Sequence, residues 1–215
     1  MTLVFDTIAE TYDQWFDSPE GRAIYETELT CLRSLSAQCR GRWLEVGVGT
    51  GRFASRMGIT EGVDPSPRML EIAAGRGIRT YEGYAEELPL PDSSFDGVLI
   101  ALALCFIPNP EKALKECRRI LRNEGNLLLG DIPADSPWGR AYEREKAKGD
   151  PVWARASFLP SSELVALIEK AGFHLQKAAS TLFWEPAGSP EIEPRLETGI
   201  IANAGFLGLL FTKIN

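Results

Sequence analysis

Histidine is nearly missing from this chain, and cysteine is sparse and unpatterned. The 215 residues hold one histidine, His174, and four cysteines, Cys31, Cys39, Cys105 and Cys117, with no Cys-x-x-Cys pair among them. A zinc centre needs clustered Cys and His ligands, and a Ser-His-Asp triad needs an imidazole beside its nucleophile, so both chemistries lack material. Reduced thiols in a cytoplasmic protein are the simplest account of the cysteines. Positive charge is also short: 23 Lys and Arg face 30 Asp and Glu, a formal net charge of −7. Nucleic-acid binding draws its affinity from cations that neutralise phosphates, so no nucleic-acid partner is expected. The densest basic stretch, Lys112, Lys115, Arg118, Arg119 and Arg122, reads as the solvated face of a helix whose Leu114, Cys117 and Leu121 point inward. Long apolar runs are missing too. Gly97 to Pro108 falls well short of the roughly 20 residues of a membrane span, and Asn203, Gly205 and Gly208 interrupt Gly199 to Phe211. The opening Met-Thr-Leu-Val-Phe-Asp has neither a basic lead nor an apolar run, so neither a signal peptide nor a membrane partner is expected.

What the chain does have is 44% hydrophobic residues, enough for a sizeable core, and a length that suits one domain. Phe5 to Phe16 and Arg22 to Leu35 read as helices. Trp43 to Val46 is a short apolar run, followed by a glycine cluster and a helix from Arg52 to Met57. Glu61 to Asp64 and Arg79 to Glu82 are further strand candidates, with a helix through Met69, Leu70, Ile72 and Ala73 between them, capped by Ser66 or Asp64. Phe95 to Leu104 is apolar apart from Asp96, as expected of a strand covered on both faces. A helix from Pro110 to Arg122, a turn with Gly125 as helix stop, and a strand from Asn126 to Asp131 follow. Pro133 to Pro160 reads as a loose polar segment. A helix starts at Ser161, and strands are predicted over His174 to Phe183 and Phe206 to Lys213. Strand alternating with helix predicts an open α/β sheet with right-handed crossovers.

In such sheets ligands bind at the carboxyl ends of the strands. The first end, Leu44-Glu45-Val46-Gly47-Val48-Gly49-Thr50-Gly51, has glycines for a tight turn and close backbone approach. It departs from the dinucleotide fingerprint G-x-G-x-x-G, because Arg52 stands where that motif needs glycine, which counts against an NAD-linked oxidoreductase. No Gly-Lys-Ser/Thr follows, so it is not a phosphate-binding P-loop either. Asp64, at the second strand end, can accept hydrogen bonds from ribose hydroxyls or cap a helix.

These segments, LEVGVGTGRF, GVDPSPRML, AEELPLPDSSFDGVL and ALKECRRILRNEGNLLL in order, resemble the class I S-adenosylmethionine-dependent methyltransferases, and within them the type 11 small-molecule group. The resemblance covers about Phe5 to Lys213. It implies a Rossmann-like, open, twisted, mostly parallel sheet of seven strands, the last antiparallel, with helices on both faces. Along a single domain it implies a helical lid over residues 1–40, a cofactor-binding core over 41–132, an acceptor-side cap over 133–160 and a C-terminal helix with strands over 161–215.

The resemblance also implies roles. Glu45 and the turn Gly47, Gly49, Thr50 and Gly51 would hold the methionine end of the cofactor, and Asp64 the ribose. Pro65 and Met69 would lie near adenine or ribose. Ala85 and Glu86 would meet adenine, with Tyr84 standing where many relatives carry an Asp. Ala101 and Leu102 would contact the methionine part, and Tyr12 would be a lid residue. S-adenosylmethionine is thus the expected cofactor, S-adenosylhomocysteine the product and a small molecule the acceptor, with a monomer or homodimer as the working unit. The rival reading is a non-catalytic S-adenosylmethionine-binding module on the same scaffold.

The acceptor end is predicted to draw on the N-terminal helices, on Asp131 to Pro160 and on Glu191 to Ile201. Trp15, Phe16, Tyr25, Trp138, Tyr142, Trp153 and Phe158 are its candidate lining. Asp131 is the candidate for orienting the acceptor or taking its proton, with a turn Asp as the alternative. Cys105 and His174 read as structural.

Overall fold

The computed structural model describes residues 4–36, 40–186, 188–191 and 193–214. Two helices, α1 (Val4–Trp15) and α2 (Pro19–Ser36), precede the sheet. Then follow β1 (Trp43–Val46), α3 (Arg52–Met57), β2 (Glu61–Asp64), α4 (Pro67–Gly75), β3 (Arg79–Glu82) and β4 (Phe95–Ala101). The second half holds α5 (Pro110–Ile120), β5 (Leu121–Asp131), α6 (Pro137–Ala147), α7 (Ser161–Lys170), β6 (Phe173–Thr181), β7 (Glu197–Thr198) and β8 (Phe206–Lys213).

The sheet runs β3-β2-β1-β4-β5-β8-β6-β7. The strands from β3 to β5 are mutually parallel, and β8 lies antiparallel between β5 and β6. The expected seven strands are therefore eight. The addition is β7, two residues that pair with Ala179 and Ser180 at the edge of β6 and are too short to carry a period in sequence.

Alternating residues on the central strands feed the two faces. Leu44, Val46, Val98, Ile100, Leu127 and Leu129 pack under α5 and α7. Leu99 and Leu128 point the other way, into a cluster with Leu29 and Leu32 of α2 and with Phe206. All of these side chains are fully buried. That two-sided burial is why β4 is an unbroken apolar run after Asp96.

Helix α5 ends at Ile120, two residues before the expected Arg122. The carbonyls of Arg119 and Ile120 accept from Ser93 and Ser94 backbone N–H groups at 3.0 and 2.8 Å, and Leu121 is extended at ψ 137°. Leu121 then pairs with Phe95, so Gly125 lies inside β5 and is not a helix stop. The segment predicted to be loose carries α6. Ser136 caps it, its Oγ accepting from Gly139 N at 2.9 Å, and Pro137 follows in the first turn.

Candidate active site

A cavity of about 550 Å³ opens at the carboxyl ends of β1, β2, β4 and β5. It sits where the strand order reverses about β1, the place where open α/β sheets take ligands. Of the residues singled out in sequence, Tyr12, Gly47, Gly49, Asp64, Pro65, Met69, Ala85, Glu86, Ala101, Leu102 and Asp131 border it. Tyr84 borders it as well and is 58% exposed.

The turn after β1 is forced by packing. Gly47 (φ 73°) donates from its N–H to the Val63 carbonyl at 2.8 Å, and a Cβ there would stand 2.4 Å from the Ala103 Cβ. At Gly49 (φ 51°) an added Cβ would meet nothing within 4 Å, so bare backbone there faces open space. Gly49 donates from its N–H to Asp64 Oδ2 at 2.9 Å, and Ser66 N–H donates to Asp64 Oδ1 at 2.9 Å. One carboxylate thus ties the glycine turn to the start of α4. Burial raises the Asp64 carboxyl to about 6, against the pull of those two N–H donors. Of the two capping alternatives, Ser66 caps α4: its Oγ accepts from Met69 N at 3.3 Å.

Glu45, Thr50 and Gly51 do not border the cavity. Glu45 is 1% exposed, and its Oε2 has no hydrogen-bond partner among the described residues. Burial drives its carboxyl well above the ordinary range. Thr50 is buried and gives its carbonyl to Arg76 Nη1 at 2.7 Å. Gly51 abuts Ala73 of α4.

Helix α1 is held over the turn by a row of acids. Ser66 Oγ donates to Asp6 Oδ1 at 2.5 Å, and Arg68 pairs with Glu10. Arg52 pairs with Asp13 and Asp17, each at 2.8 Å, and Arg76 Nη2 reaches Asp13 Oδ2 at 2.7 Å. Burial pushes the Asp13 carboxyl up, but the Arg52 and Arg76 guanidiniums outweigh it and hold it at about 2. Arg52, legible in sequence only as a break in the dinucleotide fingerprint, is the anchor for this helix. Its acidic partners lie 35 and 39 residues earlier, so no local pattern announces them.

The acceptor side differs from expectation. None of the seven candidate aromatics borders the cavity. Phe16 and Tyr25 pack with Phe53, and Trp138 packs edge-on against Trp184. Tyr142 stacks with Trp153 and Phe158, and Trp15 is 41% exposed. The aromatics at the cavity are Tyr84, Tyr12, Phe5 and Phe106, the last two meeting edge-to-face at 5.1 Å. None of the described residues of 191–201 borders it. Glu197 and Thr198 form the edge strand, and Ile192 and Cys39 lie outside the described residues. Arg155 and Ser157 border the cavity and carry no motif.

Asp131 ends β5 and is 5% exposed. Its Oδ1 accepts from Ile132 N at 2.8 Å, and burial raises its carboxyl to about 7. Cys105 borders the cavity with its thiol pushed well up by burial, which removes nucleophilic character at neutral pH. His174 is two-thirds exposed at the start of β6, away from the cavity lining.

A family model described as a methyltransferase domain matches residues 44–129. The crystal structure of an S-adenosylmethionine-dependent methyltransferase from Thermotoga maritima, described as a possible histamine N-methyltransferase, superposes with a TM-score of 0.89 at 40% identity. It covers 97% of this chain and 98% of its own. The chain belongs to the class I S-adenosylmethionine-dependent methyltransferases of type 11. An uncharacterized protein of Methanocaldococcus jannaschii is 38% identical to this methyltransferase over 98% of the chain and 99% of its own length. An uncharacterized protein of Mycobacterium tuberculosis is 37% identical over 94% of the chain and 70% of its own. Among the described residues no helix of the methyltransferase is long and apolar enough to cross a membrane.

Proposed function

We propose that this methyltransferase, acting as one domain, binds S-adenosylmethionine in the cavity and methylates a small-molecule acceptor that enters beside Asp131. The observation that carries the reading is the hydrogen bond from Gly49 N–H to Asp64 Oδ2 at 2.9 Å, which joins bare main chain and a carboxylate at one cavity wall. The residues fit the cofactor. Gly49 leaves room for a ligand against its Cα, and Glu45 offers a buried oxygen that nothing in the described chain satisfies. When bound, S-adenosylmethionine supplies an electrophilic methyl group on a sulfonium, whose positive charge is lost on transfer.

The chain's own residues do the rest. Asp64 accepts from the ribose hydroxyls. Gly47 and Gly49 receive the amino-acid end, with Thr50 and Glu45 behind the turn and Tyr12 closing over it from α1. Pro65, Met69, Ala85 and Glu86 hold the adenosine. Ala101 and Leu102, from the middle of the sheet, set the depth of the sulfur. Phe5, Phe106 and Leu104 exclude water, which favours a reaction that disperses charge.

Calorimetry with S-adenosylhomocysteine tests the reading. Binding is expected, with Asp64→Ala weakening it by about tenfold or more, near 1.4 kcal/mol. Affinity unchanged in the variant would overturn the assignment of the sugar to Asp64. No binding to the unmodified chain would overturn the cofactor.

A further inference from the structure

Resting on that reading, we propose that the acceptor is an amine that also carries a carboxylate, an amino acid or close analogue, with its nitrogen met by Asp131 and its carboxylate by Arg155. Both residues border the cavity, and no ion pair joins them. Asp131 is 5% exposed, and its Oδ2 takes no hydrogen bond from the described residues. Unlike Glu45 Oε2, this oxygen is not sealed from solvent, so it stands open to a donor from a ligand in the cavity. Arg155 is the one cation among the described lining residues, in a chain of net charge −7. The arginines near the lid, Arg52, Arg68 and Arg76, are all paired with acids. Arg155 makes no ion pair or side-chain hydrogen bond with the described residues.

Its backbone, by contrast, is pinned. Asp150 Oδ1 accepts from Val152 N and Trp153 N at 2.9 and 3.0 Å. Lys146 Nζ donates to Ala156 O at 2.6 Å, and Ser157 N donates to Cys105 O at 2.7 Å. Trp153 stacks between Tyr142 at 4.1 Å and Phe106 at 5.9 Å. Arg155 and Ser157 are both exposed, so an unpaired guanidinium, whose planar fork matches a carboxylate, and a hydroxyl donor stand two residues apart on fixed main chain. Two opposite charges in one cavity, not paired with each other, fit one molecule that bridges them. In the transfer the nitrogen lone pair forms the new bond to the methyl carbon and the methyl–sulfur bond breaks with its electron pair going to sulfur. The lone pair is freed beforehand, when the ammonium group gives one proton to the Asp131 carboxylate, and the methylated nitrogen leaves as an ammonium.

The test uses the full chain loaded with S-adenosylhomocysteine and two matched sets: histidine, histamine and histidinamide; phenylalanine, phenethylamine and phenylalaninamide. Calorimetry reads affinity, and methyl transfer from S-adenosylmethionine is followed in parallel. A carboxylate is expected to strengthen binding by roughly tenfold or more within at least one set. Arg155→Gln is expected to erase that preference and Arg155→Lys to restore part of it. Asp131→Asn is expected to lower kcat while the carboxylate preference stays. Amines without a carboxylate binding equally well, a preference that survives Arg155→Gln, or no binding of any member to a chain that does bind S-adenosylhomocysteine would each overturn the proposal. Failure to bind S-adenosylhomocysteine would instead overturn the cofactor reading.

Discussion

Two glycines in one turn do different work, and substitution separates them. Gly47→Ala places a Cβ 2.4 Å from the Ala103 Cβ at a φ of 73°, so the turn must shift. A loss of about 2–4 kcal/mol of stability is expected, measured by urea denaturation. Gly49→Ala meets no neighbour within 4 Å but adopts φ 51°. It should lose only about 1 kcal/mol of stability, while S-adenosylhomocysteine affinity falls more steeply because the new methyl occupies ligand space. Equal effects of the two substitutions on affinity and stability would contradict this division. At this scale the glycines and Asp64 were legible because a strand end followed by glycine or an acid is a local pattern. The seven aromatics were misplaced because composition says that a ring will be buried and not what it will face. Phe106 follows β4 by only five positions and borders the cavity, whereas Trp153 backs Phe106 from behind.

Helix α1 is joined to the core through acids on one side and arginines on the other. Asp6, Glu10 and Asp13 recur at helical spacing, and Asp17 follows in the next turn. The Arg68–Glu10 pair is half exposed and Asp17 is mostly exposed, so these contacts are individually weak, but Asp13 is mostly buried against Arg76 and Arg52, the latter bidentate. Arg52→Gln is therefore expected to raise hydrogen exchange across α1 and weaken S-adenosylhomocysteine binding by roughly tenfold, while exchange in β4 and β5 stays unchanged. Unaltered exchange in α1 would show that apolar packing alone seats it. The segment was legible in sequence as a helix and the partners of its acids were not, since spacing reports a face and not what covers it. The same gap hid α6, whose Ser136-Pro137 start is a recognisable cap that an otherwise polar segment obscured. The end of α5 was set by Ser93 and Ser94, residues distant in sequence.

Across the molecule, buried carboxyls govern the response to pH. Burial raises Asp64 to about 6, Asp131 to about 7 and Glu28 to about 8, all above their unfolded values near 4. The folded chain then holds protons that the unfolded chain has released. Their contribution to stability is present below pH ~4 and is lost as pH rises through about 6 to 8. Asp13, held at about 2, works in the opposite sense: its contribution is present above pH ~4 and lost as pH falls toward 2. The Tm of the ligand-free chain is expected to fall between pH 5 and pH 9. Glu28→Gln should flatten that slope and raise Tm at pH 9 by roughly 3–6 °C. A level profile in the unmodified chain would contradict the assignment.

Sheet order carries one more consequence. The strand that follows all others in the chain, β8, fills the gap between β5 and β6. During synthesis the parallel half can assemble early, yet β5 stays an unzipped margin until β8 has emerged from the ribosome. Partly made molecules therefore expose a sticky flank between the synthesis of β5 and that of β8, and a chain cut short before β8 should aggregate rather than fold to a smaller domain.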